Sequence, residues 1–112
     1  MPTLTGMDET AEPAAWRELE AAVDAALWRY AEAVTGQPRT LADGGPGVPG
    51  PFGPRDLHLA RLSAARRLHA TLDATDRAAA RQALEGGATH PRVADAAGMS
   101  RQAAWRRYGP VR

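Results

Sequence analysis

Arg101, Gln102, Trp105 and Arg106 follow one another at spacings of one, three and one residues, so on a helix all four project from one side. Two guanidinium forks and an amide in that pattern are hydrogen-bonding groups of the kind that pair with base edges. Arginine matches the two acceptors that guanine shows in the major groove, glutamine matches the donor and acceptor of adenine, and either can hold a phosphate. Trp105 adds an apolar plane suited to a DNA sugar, a thymine methyl or a second protein surface. Ser100 ahead of them, Arg107 behind and Arg92 upstream complete the candidate contacts, Arg92 and Arg107 being suited to phosphate or solvent rather than base edges. A run of arginines alone describes an ordinary solvated helix face; the residues in front of this run change that reading.

Those residues must turn the chain sharply. Val93, Ala94 and Ala97 fall on one face of a short helix, with Ala94 small enough for a second helix to cross closely. Thr89 is placed to cap that helix, and Pro91 is tolerated in its first turn because the missing amide has no internal partner there. Gly98 follows where the chain must leave in a left-handed conformation, which costs a residue with a Cβ roughly 1–2 kcal/mol. Met99 then plugs the turn and Ser100 caps the next helix, in which Ala104 and Tyr108, with Ala103 partly beside them, face inward.

The unbroken run Gly98-Met99-Ser100-Arg101-Gln102-Ala103-Ala104-Trp105-Arg106-Arg107-Tyr108-Gly109 resembles a signature of small actinobacterial helix-turn-helix proteins, Gly-(Met/Val)-(Ser/Thr)-Arg-Gln-(Ala/Ser)-Ala-(Trp/His)-x-Arg-(Phe/Tyr)-Gly. More widely it is similar to the tri-helical domains of bacterial transcription factors and sigma-factor region 4. The likeness spans roughly residues 76–109, under a third of the chain. It implies a three-helix domain whose residues 100–107 contact double-stranded DNA, and nothing about the rest.

The remainder reads as all-α. Alanine and leucine abound, aromatic residues make up 5% of the chain, and no stretch alternates at period two. Residues 1–12 are polar and expected to be disordered. An amphipathic helix over 13–36 follows, opened by Pro13 and closed by Gly36, with Trp16, Leu19, Val23, Leu27, Tyr30 and Val34 forming an apolar stripe for dimerisation or packing. The glycines and prolines of 37–54 predict a flexible linker and the main domain boundary. Beyond it, 55–112 reads as the DNA-binding domain with its helix-turn-helix at 89–109. It opens with a helix to about Leu72, with Leu57, Leu62, Ala65, Leu68 and Leu72 inward. A separate helix capped by Asp73 or Thr75 follows, running to Glu85 with Ala79, Ala83 and Leu84 inward. The layout expected is five helices with a hinge after the first.

Charge is distributed unevenly. Residues 1–54 hold three arginines against eight carboxylates, a net of −5, and residues 55–112 hold eleven against five, a net of +6. Attraction to a phosphate backbone favours the second half. The absence of cysteine removes disulfides and thiolate chemistry and suits a cytoplasmic, nucleoid setting. No apolar run approaches the ~20 residues of a membrane span, and no signal-peptide pattern opens the chain. His58 and His69 lie ~16 Å apart on a helix, too far to share a metal, and His90 reads as a loop residue within reach of a phosphate. No cofactor is expected. Ser63 and Ser100 are the only serines and neither has a histidine–carboxylate pair nearby in sequence, so an enzyme is not expected.

These features suggest a DNA-binding transcriptional regulator or nucleoid-associated protein, acting as a homodimer because one helix-turn-helix makes few base contacts. The apolar stripe is the dimer surface, or folds back onto 57–72, and can also receive a protein partner. The alternative is a protein-interaction adaptor, an anti-sigma-like module without significant DNA affinity.

Overall fold

A computed structural model describes residues 7–109, and among these every regular element is helical: α1 Glu12–Thr35, a 3-10 helix Arg39–Asp43, α2 Pro54–Glu85, α3 His90–Ala97 and α4 Arg101–Tyr108. The all-α expectation holds. The chain forms two compact units, Pro13–Ala70 and Met1–Glu12 with Thr71–Arg112. The division therefore falls within the span of α2 rather than in the glycine- and proline-rich stretch expected to mark it. No helix among the described residues is long and apolar enough to cross a membrane.

The start of α1, Glu12, lies close to its expected position at residue 13, and the disorder expected over residues 1–12 falls in part outside the described residues. Residues 1–6 lie outside the described part; from Asp8 the chain makes a capped turn, the Asp8 carboxylate accepting from the Thr10 and Ala11 amides at 3.0 and 3.3 Å.

In the first unit α1 packs onto the start of α2, the fold-back that is one of the two expectations for it, but through Trp28 and Ala31 rather than through the apolar stripe. Trp28, Ala31 and Leu57 form the buried cluster, with Leu41, Ala42 and Ala60 against it. Trp28 lies one position off the apolar stripe. It is buried because guanidinium planes cover it: Arg61 sits 4.0 Å and Arg39 4.6 Å from the ring, and the edge of His58 meets it at 5.8 Å. Asp24 pairs with both arginines, at 3.5 Å to Arg61 and 4.0 Å to Arg39. The stripe itself stays largely outside: Trp16, Leu19, Val23 and Val34 are exposed, while Leu27 and Tyr30 are half-buried. Tyr30 accepts a hydrogen bond from Arg67 at 3.3 Å.

The 37–54 stretch is not a free tether. Gln37, only 4% exposed, donates its amide to the carbonyls of Val48 and Phe52 at 2.8 and 2.9 Å and accepts from the Val48 amide at 2.8 Å. One side chain thereby supplies partners to a loop whose prolines leave it few of its own. The loop ends in a cap: Pro54 takes the first position of α2, and Asp56 reaches back to the Gly53 amide at 2.8 Å.

The break expected near residues 72–75 is absent, so α1 to α4 replace the five helices anticipated. Nothing between Thr71 and Asp76 is a glycine or proline. Thr75 satisfies its hydroxyl on the Thr71 carbonyl one turn back, and Asp73 pairs with Arg77 along the helix. The inward residues of α2 shift accordingly. Leu57 is buried, Ala65 and Leu68 are half-buried, but Leu62 and Leu72 are exposed. Leu62, five positions on from Leu57, is carried about 140° around the helix. Toward the end of α2 it is Ala80 and Leu84 that are buried, with Ala79 and Ala83 exposed.

Gln37→Ala removes three loop hydrogen bonds, one to an amide and two to carbonyls. The expected cost is about 1–3 kcal/mol in denaturant unfolding, with faster proteolysis between residues 44 and 53. Unchanged stability and cleavage contradict this account of the loop.

Candidate nucleic-acid interface

In the second unit the end of α2 carries α3 and α4. Ala80, Leu84 and Val93 form its core, with Ala88 and Tyr108 packed against them. α3 and α4 contact each other, and their most buried residues are Ala94 and Ala104, 1% and 0% exposed, so methyl side chains set the closeness of the pair.

Each cap expected in this region is present. The Thr89 hydroxyl accepts from the Arg92 amide at 3.3 Å, with Pro91 in the first turn of α3. Gly98 closes α3 at φ 67°, ψ 34°, while its own amide bonds to Asp95 and that of Met99 to Ala94 at 3.2 and 3.0 Å, the double closure typical of a left-handed helix end. Ser100 then accepts from the Ala103 amide at 3.1 Å and starts α4. Ala97, expected to face inward, is exposed beside that turn.

α4 presents two different faces. Ala104 points inward, with Ala103, Arg107 and Tyr108 half-buried; Arg101, Gln102, Trp105 and Arg106 are all exposed. On a 3.6-residue helix Gln102 and Arg106, one turn apart, lie nearly opposite Ala104 and occupy the centre of the outer face. Arg101 and Trp105 lie together to one side of them, about 60° and 100° around the helix from Ala104. Among the described residues Arg101, Gln102 and Arg106 make no side-chain hydrogen bond or ion pair.

Arg107 corrects the expectation that it joins this set. Its guanidinium turns back to Asp73 and Asp76 of α2, and the Tyr108 hydroxyl donates to Asp76. The Arg107 hydrogen bond, then that of Arg77, holds the Asp73 carboxyl below the usual carboxylate range. Burial, then the bond to Asp76, pushes the Tyr108 phenol up. Ser100 likewise uses its hydroxyl on the cap. Arg92 is an exposed residue of the first turn of α3.

Two features of the site escape inspection of local sequence. Asp73 and Asp76, three residues apart on α2, are the anchors of α4, and only their pairing within an arginine-rich segment hints at it. His90 is not a solvated loop residue. Its Nε2 lies 2.8 Å from the Gly109 carbonyl, which can only accept, so the ring donates there. Its other contact is the Trp105 indole, at 4.2 Å between ring centres. No family model, curated protein or solved structure matches the chain.

Because the folded-state pKa of Asp73 is depressed, the stabilisation from its ion pairs is present above the usual carboxylate pKa and is lost as pH falls through the folded value. Thermal unfolding should show a midpoint that declines on acidification through that range. Asp73→Asn should lower the midpoint at neutral pH and flatten the decline. An unchanged midpoint and slope in the variant would remove Asp73 from this role.

Proposed function

We propose that this chain is a DNA-binding protein, a transcriptional regulator or nucleoid-associated protein, that inserts α4 into the major groove of double-stranded DNA. The carrying observation is the division of labour on α4: Arg107 is neutralised by two carboxylates, whereas Arg101, Gln102 and Arg106 stand exposed and unpaired among the described residues on the opposite side. Arg101 adds to it. A cation at the first position of a helix opposes the macrodipole at a cost of about 0.3–1 kcal/mol, a placement that stability alone does not favour and a nearby phosphate would reverse. The sequence signature over residues 98–109 supports the same reading.

Pairing of two chains would double the number of recognition helices, and the exposed Trp16, Leu19, Val23 and Val34 supply an apolar surface for it. Leu27 and Tyr30 extend that surface at half burial.

Binding to a short random duplex should weaken steeply as salt rises, since neutralised phosphates release counterions. Arg101→Ala combined with Arg106→Ala should weaken it by about 30-fold or more, two contacts at about 1 kcal/mol each being the floor. Negligible affinity at low salt contradicts DNA binding and leaves the adaptor reading. For the pairing, light scattering should give a mass of two chains, falling to one in Leu19→Glu; a single-chain mass for the unaltered protein overturns the dimer.

A further inference from the structure

Trp105 is 51% exposed, an expensive place for an indole, yet it is not loose. His90, the first residue of α3, reaches to the Gly109 carbonyl just past the end of α4 and lays its imidazole against the Trp105 ring, tilted by 55°. One histidine therefore ties the start of α3 to the end of α4 and fixes an aromatic plane between them. The plane sits one turn beyond Arg101 and beside Gln102 and Arg106, the polar groups of the outer face.

We propose that Trp105 is an apolar base reader, held by His90 at the edge of the α4 face to contact the C5 methyl of thymine. The inference rests on the DNA-binding reading above and goes beyond it by naming a base. Guanidinium and amide groups cover the acceptors and donors of the major groove, and the one feature of the groove they cannot match is the thymine methyl, its only apolar group. Trp105 is the only large apolar side chain on the outer face of α4. His90 acts as a positioning residue, since its ring contact is with the indole.

The test uses the pool of short duplexes that the intact protein recovers from a random library, amplified either with thymidine or with deoxyuridine. Uracil keeps every hydrogen-bonding group of thymine and lacks only the methyl. The unaltered protein should bind the uracil pool about fourfold more weakly, the value of one buried carbon group. Trp105→Ala should bind both pools equally while keeping the salt dependence of the unaltered protein, because no charge is lost. His90→Gln, which retains a donor for Gly109 but no ring, should reduce the discrimination and leave the salt dependence intact. Equal binding of the two pools by the unaltered protein, or discrimination that survives in Trp105→Ala, overturns the proposal while DNA binding stands. Failure to recover any duplex overturns both together.

Discussion

α3 and α4 are eight residues each, well below the roughly 12–15 at which an isolated helix becomes even marginally stable in water, and everything proposed for the outer face of α4 depends on how that deficit is met. Thr89 and Ser100 cap the two starts, Gly98 takes the left-handed turn between them, and Ala94 and Ala104 are the small buried residues of the pair. Arg107 and Tyr108 fasten α4 to the carboxylates of α2, and His90 fastens its end to α3. All of these supports act on the inner side or at the ends. On the outer side of α4, Arg101, Gln102 and Arg106 are left exposed and without a side-chain partner among the described residues, and these are the groups the proposed function assigns to DNA.

Sorting the arginines by partner sharpens this. Arg39 and Arg61 cover Trp28, Arg67 meets Tyr30, and Arg77 and Arg107 share Asp73. Several residues that make the second half of the chain basic are thus structural. Residues 71–109 hold six arginines against four carboxylates, a modest excess beside the +6 of residues 55–112. Long-range attraction to phosphate is correspondingly weaker, and the short-range contacts of Arg101, Gln102 and Arg106 carry more of the proposed affinity.

What could be read directly from residue order is local chemistry. Thr89, Pro91, Gly98 and Ser100 act within four residues of themselves, through caps and a left-handed turn, and they stand where their types demanded. The outer and inner faces of α4 follow from a period of 3.6 over one short helix. Contacts between distant segments were not legible. The Trp28 ring is covered by guanidinium planes, to which a search for apolar periodicity is blind, and so the exposed stripe of α1 looked like its packing face. Gln37 orders a glycine- and proline-rich loop through long-range hydrogen bonds that composition does not reveal. Asp73 and Thr75 looked like caps because both types favour helix starts, whereas here each found a partner one turn away along the same helix. His90 and Arg107 looked available to phosphate because Gly109, Asp73 and Asp76 are nearby only after folding.

The central claim is that the outer face of α4, and no other arginine cluster, meets DNA. It is tested most directly by following backbone and side-chain resonances of the intact protein by NMR as a short duplex is added. The account predicts that the largest shifts fall on residues 100–106, with smaller ones at the start of α3, while Asp73, Arg77 and the Arg39–Trp28–Arg61 cluster stay unmoved. Shifts centred on that cluster, or spread evenly over the arginines of both units, would contradict it.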